Sequence, residues 1–237
     1  MKTVNNVLMH RGIHCENIPE NSIAAFKKCI EKNLSIELDI RQLKTKEIVV
    51  FHDRNLYRMT GYNKDITKST YKEIKDLKLK NTKENIPLLK DVLKLVNGKV
   101  LINIEIKSSI KFDKKFLKNI VEILKEYEGE IIFTSFDYRI VYYLMKISNY
   151  EVGILTFTKY RKTFKDIRIA ISKIILNTKI LKPSFISCEL YGLPIKEITN
   201  FRKKGGKICI WGIRNKEDLL NAKKYGDMFI IDDYKLL

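Results

Sequence analysis

The segment SIELDIRQLKTKEIVVFHD, residues 35–53, decides the fold. Its first part, 35–40, alternates polar and apolar residues, and 48–52 is rich in β-branched residues, so both are typical of strands. The connection 41–47 is too short for a crossover between parallel strands, which takes about a dozen residues. The segment therefore predicts a strand and a second strand that returns antiparallel beside it.

The turn of this hairpin decides which residues face one another. If the turn centres on Lys46, Ile40 lies opposite His52. The returning strand then brings His52 back beside Asp39. We therefore expect this histidine and this carboxylate to share a site.

Short β-branched runs alternate with longer segments of helical period along the chain, an order typical of βα units around a parallel sheet. Strands are predicted near 6–10, 35–40, 48–52, 100–107, 130–135, 151–156, 184–189, 207–212 and 228–232. Helices are predicted after Ser22, which can cap the first of them, and near 88–97, 113–127, 137–147, 161–179, 194–204 and 215–224. With the antiparallel strand near 48–52 set aside, eight strands remain, and they predict a (β/α)8 TIM barrel.

No internal repeat or Gly/Ser-rich linker divides the 237 residues. We expect a single barrel domain over 1–237 with a small insertion at about 54–99. The four cysteines show no CxxC spacing, and the first residues lack the apolar core of a signal peptide. These features indicate reduced thiols and a cytoplasmic protein.

The chain is strongly basic, with 46 Lys and Arg against 28 Asp and Glu and a net charge of +18. This charge favours phosphorylated small substrates, anionic membrane surfaces or polyanions. The basic residues are scattered along the chain in short clusters only, so nucleic acid is not the expected partner. Peripheral contact with an anionic membrane stays open.

Carboxylates occupy one face of two predicted strands. Glu37 and Asp39 share a face, and on another strand Glu105 shares a face with Lys107. Carboxylates that face the same way repel each other, and a bound cation relieves the repulsion. Oxygen donors suit Mg²⁺ or Ca²⁺, and Lys107 would then meet a substrate phosphate.

An ion pair offers a second interpretation of the same pattern. A pair between Glu105 and Lys107, or between a glutamate and an arginine, would gather these charges without any metal. The pattern alone leaves both interpretations open.

Two of the three histidines, His10 and His52, end predicted strands beside another charged residue. Imidazoles exchange protons near neutrality, and two of them can serve opposite sides of an in-line displacement. Arg11 can hold a phosphate oxygen with its guanidinium fork. His14 is interpreted as a loop residue without a role.

An ordered set of motifs resembles the glycerophosphodiester phosphodiesterase family. They are His10-Arg11-Gly12, Pro19-Glu20-Asn21-Ser22, Glu37-Leu38-Asp39-Ile40, Val49-Val50-Phe51-His52-Asp53, Leu56-Tyr57-Arg58-Met59-Thr60-Gly61, Ile86-Pro87-Leu88, Asn103-Ile104-Glu105-Ile106-Lys107, Ser135-Phe136-Asp137, Trp211 and Ile230-Ile231-Asp232-Asp233. The resemblance covers nearly the whole chain and is weak from 150 to 205.

The resemblance implies a (β/α)8 barrel that hydrolyses a glycerophosphodiester to glycerol 3-phosphate and an alcohol. It also implies a role for each matching position. These positions are Glu37, Asp39 and Glu105 for one divalent cation, Mg²⁺ or Ca²⁺, His10 and His52 for acid–base catalysis, and Arg11, Lys107 and Trp211 for the substrate and its phosphate.

Two alternatives stay open beside this hydrolysis. A phospholipase or lyase that cleaves lysophospholipid headgroups and ends at a cyclic phosphate would keep the fold and the metal. A non-catalytic polyanion-binding protein is motivated by the charge of +18 alone. The natural leaving alcohol also stays open, because Trp211-Gly212-Ile213-Arg214 stands where the family usually has Trp-Thr-Val-Asn.

Overall fold

A closed sheet of parallel strands forms the centre of the protein in a computed structural model that describes residues 6–80, 82–108, 112–158 and 181–237. The strands are β1 (Val7–Met9), β2 (Ser35–Gln42), β3 (Ile48–Val50), β4 (Ile102–Ile106), β5 (Ile131–Ser135), β6 (Glu151–Thr156), β7 (Phe185–Glu189), β8 (Lys207–Ile213) and β9 (Met228–Ile231). Their order in the sheet is β1-β9-β8-β7-β6-β5-β4-β2-β3, and β1 also pairs with β2. The predicted (β/α)8 barrel is confirmed, with β3 as the extra antiparallel strand.

Helices connect the barrel strands and cover the outside of the sheet. They are α1 (Ile23–Glu31), α2 (Tyr57–Thr60), α3 (Tyr71–Ile74), α4 (Leu89–Val96), α5 (Lys114–Leu124), α6 (Tyr138–Ile147), α7 (Lys196–Lys203) and α8 (Lys216–Ala222). The predicted cap of α1 is confirmed, since Ser22 Oγ accepts a hydrogen bond from Ala25 N at 3.1 Å. The helix predicted near 161–179 lies outside the described residues.

The predicted register of the hairpin is wrong by two residues. Ile40 lies opposite Val50, not His52. The turn is tighter than expected because Lys46 adopts a left-handed φ of 80°, which is typical of a three-residue hairpin loop. His52 therefore lies beyond β3, where its carbonyl accepts hydrogen bonds from Arg41 Nε and Nη2 at 2.9 and 2.7 Å.

Side chains of the barrel strands alternate between two environments, as the pleat requires. Outward-facing residues such as Ile36 and Leu38 are buried under the helices in the main apolar core. Inside the barrel, a smaller apolar cluster fills the space toward the amino ends of the strands; it consists of Leu8, Ile132, Phe185, Cys209 and Ile230. The interior is therefore closed at one end, and polar side chains collect at the carboxyl ends.

The chain between β3 and β4 folds against the barrel with an apolar core of its own. This core contains Leu43, Val49, Phe51, Leu56, Met59, Ile66, Ile74, Leu79, Ile86 and Leu88. It holds α2, α3 and a 3-10 turn at Ile66–Lys68 beside the mouth of the barrel. The insertion thus brings its own side chains next to the carboxyl ends of the strands.

Among the described residues, no helix combines the length and the apolar character needed to cross a bilayer. The extent of the single domain over 1–237 stays a prediction.

Candidate active site

Three carboxylates converge at the carboxyl ends of β2 and β4. In the register of these strands, Asp39 lies opposite Glu105. One oxygen from each of Glu37, Asp39 and Glu105 lies within 4.8 Å of the other two, and the residues are 2%, 0% and 8% exposed. The parity of the strands thus produces a buried acidic cluster with the dimensions of a single cation site.

Two cationic side chains contact this cluster. Lys107 Nζ lies 2.7 Å from Asp39 Oδ1 and 2.5 Å from Glu105 Oε1. Arg11 Nε lies 3.4 Å from Asp39 Oδ2, and the Arg11 backbone N donates to Glu37 Oε2 at 3.0 Å. The ion pair between Glu105 and Lys107 that the sequence left open is therefore present, and it accompanies the acidic cluster.

Positive charge in the cluster is insufficient for three carboxylates. Burial, together with the charge of Asp39, raises the pKa of Glu37 to about 8, and burial also raises the pKa of Glu105. Asp39 is equally buried, but the charges of Lys107, His52 and Arg11 hold its pKa well below its usual range. The pKa values of two of the three carboxyl groups are thus raised above their ordinary values, as expected for like charges buried together.

Both predicted catalytic histidines line one cavity of about 260 Å³, together with Glu37 and Glu105. His10 Nδ1 lies 2.5 Å from Asp232 Oδ1, and His52 Nδ1 lies 2.7 Å from Asp53 Oδ1. A carboxylate therefore orients each ring and leaves Nε2 for a ligand.

The two imidazoles have different electrostatic surroundings. Burial lowers the pKa of His10, but the hydrogen bond to Asp232 and the charge of Glu37 outweigh it and raise that pKa above its ordinary value. Burial dominates at His52 and lowers its pKa. The site therefore contains one imidazole with a raised pKa and one with a lowered pKa.

The turn after β1 brings Arg11 to the cluster. Arg11 and Gly12 both adopt left-handed φ values, 57° and 81°. A Cβ at Gly12 would lie 2.9 Å from Ala25 Cβ and 3.0 Å from the Phe26 ring. Glycine at this position is what lets the turn press against α1 and point the Arg11 backbone N at Glu37.

Arg58 links the partner of His52 to the partner of Arg11, a role that the sequence did not predict. Arg58 Nε donates to Asp53 Oδ2 at 2.5 Å, and its two terminal nitrogens donate to both oxygens of Glu20 at 2.9 and 2.7 Å. Glu20 also accepts from Arg11 Nη1 at 2.7 Å. These contacts lower the pKa of Glu20 to about 2, and they connect His52 to Arg11 through alternating charges.

The carboxylates of this network were visible in the sequence without an assigned role. Asp53 directly follows His52, Glu20 lies in Pro19-Glu20-Asn21-Ser22, and Asp232 follows β9. An acidic residue beside a candidate histidine was the available signal. Nothing in the sequence pairs Arg58, which lies in α2, with Glu20, which lies between β1 and α1.

Aromatic side chains form the opposite wall of the cavity. Phe136, Phe157 and Trp211 line it with Leu155. The Trp211 ring meets Phe157 edge to face at 5.3 Å, and Phe136 stacks on Phe157 at 5.0 Å. Trp211 therefore lines the same cavity as the two histidines.

Comparisons with known proteins agree with this geometry. The sequence model of the glycerophosphoryl diester phosphodiesterase family matches residues 10–235. A protein of Caldanaerobacter subterraneus subsp. tengcongensis named glycerophosphodiester phosphodiesterase is 32% identical over 100% of this chain and 97% of its own length. The Homo sapiens protein named lysophospholipase D GDPD1 is 26% identical over 96% of this chain and 82% of its own length.

A solved structure shows the same fold. An Oleispira antarctica phosphodiesterase in complex with the product sn-glycerol-3-phosphate superimposes with a TM-score of 0.81 over 98% of this chain and 94% of that one, at 19% identity. The family match spans both predicted histidines and all three carboxylates. The chain therefore belongs to the glycerophosphoryl diester phosphodiesterase family, whose members are phosphoric diester hydrolases.

Proposed function

We propose that this protein hydrolyses glycerophosphodiesters to glycerol 3-phosphate and an alcohol by acid–base catalysis with His10 and His52. The observation that carries the proposal is that both imidazoles and the acidic cluster open into one cavity. The glycerol 3-phosphate in the Oleispira antarctica structure supports the same product here.

The acidic cluster fits one divalent cation held by Glu37, Asp39 and Glu105. Carboxylate oxygens are hard donors that suit Mg²⁺ or Ca²⁺. When bound, such a cation would polarise the phosphoryl oxygens. Arg11 and Lys107 supply further positive charge for the phosphate, and Lys107 has the flexible stem needed to turn from the carboxylates toward it.

The two histidines divide the proton transfers between them. Asp232 and Asp53 hold the Nδ1 atoms of His10 and His52, so each ring exchanges protons through Nε2. One imidazole removes the proton of the attacking oxygen while the other protonates the leaving alcohol.

Phosphorus NMR of the products tests the proposed bond cleavage. With glycerophosphocholine and a divalent cation, we expect glycerol 3-phosphate and choline. Glycerol and phosphocholine would contradict the proposal, because they require cleavage of the other ester.

The cation is expected to bind more tightly as the pH rises. The pKa of Glu37 is about 8 without a bound cation, so below this pH binding must displace a proton, and above it the carboxylate is already ionised. Calorimetric titration with Mg²⁺ or Ca²⁺ from about pH 6 to about pH 9 should show rising affinity and falling proton release. Glu37→Gln should remove most of this dependence, and a wild-type affinity independent of pH would contradict the assignment.

Removing Arg58 is expected to slow the reaction although this side chain lies outside the cavity lining. Arg58→Ala frees Asp53 and thereby the ring of His52, and misplacement of a catalytic group of this kind lowers kcat roughly tenfold or more. Arg58→Lys should recover part of the loss. Steady-state kinetics on glycerophosphocholine separate this change in kcat from a change in KM.

Arg54 offers a matched control in the same insertion. It pairs with Asp65 at 2.9 Å on the surface, so Arg54→Ala should leave kcat nearly unchanged. If Arg58 acts through Asp53, Arg58→Ala combined with Asp53→Asn should lose less than the product of the two single losses. Independent, multiplying losses would argue against the positioning role.

Lysophospholipid cleavage is a second candidate function because the aromatic wall beside the phosphate site suits an acyl chain. The human relative named lysophospholipase D supports it. Phosphorus NMR of the products tests this candidate. A cyclic phosphate released from a lysophospholipid would identify the reaction as that of a lyase. A non-catalytic polyanion-binding protein would have no need of the converging histidines and carboxylates, so the site does not support that alternative.

Cytoplasmic location and peripheral contact with an anionic membrane stay predictions of the sequence.

A further inference from the structure

A basic groove lies beside the active-site cavity, between the β2–β3 hairpin and the start of α5. It has a volume of about 760 Å³. Its lining includes six cationic side chains, Arg41, Lys44, Lys46, Lys107, Lys114 and Lys115, and a single acidic one, Asp113. We call this surface the basic groove.

The one acidic side chain of the lining balances only part of the positive charge of the basic groove. Asp113 Oδ1 accepts hydrogen bonds from the backbone N of Lys115 at 2.9 Å and of Phe116 at 3.2 Å, so it caps α5. Lys44, Lys46 and Lys115 are exposed and make no ion pair with any residue in the part of the chain that the structure describes. Like charges gathered without partners create a positive potential that attracts anions.

The basic groove adjoins the active site. Lys107 lines both spaces, and its Nζ contacts Asp39 and Glu105 in the acidic cluster. Arg41, which lines the groove, donates to the carbonyl of His52 at 2.9 and 2.7 Å. A negative group in the groove can therefore belong to the molecule whose phosphodiester lies in the cavity.

The cavity is thus asymmetric, with an aromatic wall on the side of β5 to β8 and cations on the side of β2 to β4. We propose that the basic groove binds a second anionic group carried by the leaving alcohol, so that the preferred substrates are glycerophosphodiesters whose alcohol bears a further phosphate. This inference rests on the proposed function of the site. An alcohol with a quaternary ammonium group, as in glycerophosphocholine, meets repulsion on the same side.

Paired substrates test the basic groove. Bis(glycerophospho)glycerol carries a second phosphodiester on its leaving alcohol, whereas glycerophosphoglycerol lacks it and is otherwise alike. We expect a higher kcat/KM for the former, beyond the statistical factor from its two esters, and a preference that declines as NaCl screens the charges.

A second test of the basic groove removes the charge of three exposed lysines. The combined variant Lys44→Gln, Lys46→Gln, Lys115→Gln should lose roughly tenfold in kcat/KM for bis(glycerophospho)glycerol, since each exposed pair contributes modestly. Its activity on glycerophosphoglycerol should change little. The matched control Lys90→Gln, Lys203→Gln, Lys223→Gln removes the same charge from exposed positions elsewhere and should keep the preference.

The outcomes separate the subsite from the proposed function. Equal losses on both substrates, or the same loss in the control variant, would overturn the subsite while hydrolysis stands. If neither substrate is hydrolysed, the proposed function fails, and calorimetric binding of bis(glycerophospho)glycerol to the wild type and the triple variant still decides the subsite, since equal affinities overturn it. If the triple variant Lys44→Gln, Lys46→Gln, Lys115→Gln no longer binds phosphatidylglycerol vesicles but keeps the wild-type substrate preference, the groove binds a membrane surface and the inference is overturned.

Discussion

His10→Ala and His52→Ala are each expected to lower kcat for glycerophosphocholine by ~10²–10⁴-fold, the usual contribution of a general acid or base. Both imidazoles line the cavity that the acidic cluster enters, and each is oriented by a carboxylate at 2.5 or 2.7 Å. The loss should appear in kcat more than in KM, because proton transfer matters in the transition state. Steady-state kinetics measure it.

The third histidine provides the control. His14 is absent from the residues that line the cavity, so His14→Ala should keep most of the activity. Circular dichroism and thermal unfolding of all three variants should match the wild type, since His10 and His52 are partly exposed at the mouth of the barrel. Full activity in either His10→Ala or His52→Ala would remove that residue from the proposed mechanism.

Chelation is expected to abolish hydrolysis. Glu37, Asp39 and Glu105 are buried with oxygens within 4.8 Å of one another, and removing a cation from such a cluster restores their mutual repulsion. Without the cation, nothing in the cluster polarises the phosphoryl oxygens. Turnover of bis(p-nitrophenyl) phosphate should fall to background in EDTA and return when Mg²⁺ or Ca²⁺ is added in excess. Undiminished turnover after complete metal removal would contradict the cation site.

Variants of the acidic cluster distinguish metal loss from general damage. Glu37→Gln and Asp39→Asn keep the shape of the side chains but weaken the donor set, so more cation should be needed for the same activity. Their melting temperatures should respond less to added cation than that of the wild type, because a ligand stabilises only the state that binds it. A wild-type response to cation in both variants would place the metal elsewhere.

The acidic cluster could be predicted because strand geometry is local. Side chains two residues apart on a strand point the same way, so Glu37 and Asp39 had to share a face. Parallel pairing of β2 and β4 then brought Glu105 beside Asp39. The barrel itself could be predicted from the alternation of strands and helices. The short connection 41–47 showed which strand does not belong to the eight parallel ones.

Features that depend on loops and on distant segments were beyond the sequence. The hairpin register failed because one residue, Lys46, adopts a left-handed conformation that shortens the turn. The basic groove draws its cations from the hairpin and from α5, which are separated by the whole insertion. Likewise, Arg58 reaches Glu20 across 38 positions of sequence, and no pattern of spacing encodes such a pairing.

The anchoring of the insertion by Arg58 limits how this enzyme can be re-engineered. A loop transplanted from a relative into the space between β3 and β4 must bring a cation that reaches both Glu20 and Asp53. A chimera without it would fold its barrel normally, yet among the described residues Glu20 would keep only Arg11 and Asp53 only His52 as a partner beside the active site. An exchange of this loop is therefore expected to change catalysis as well. Specificity is better redesigned at the aromatic wall of the cavity, which lies away from this loop.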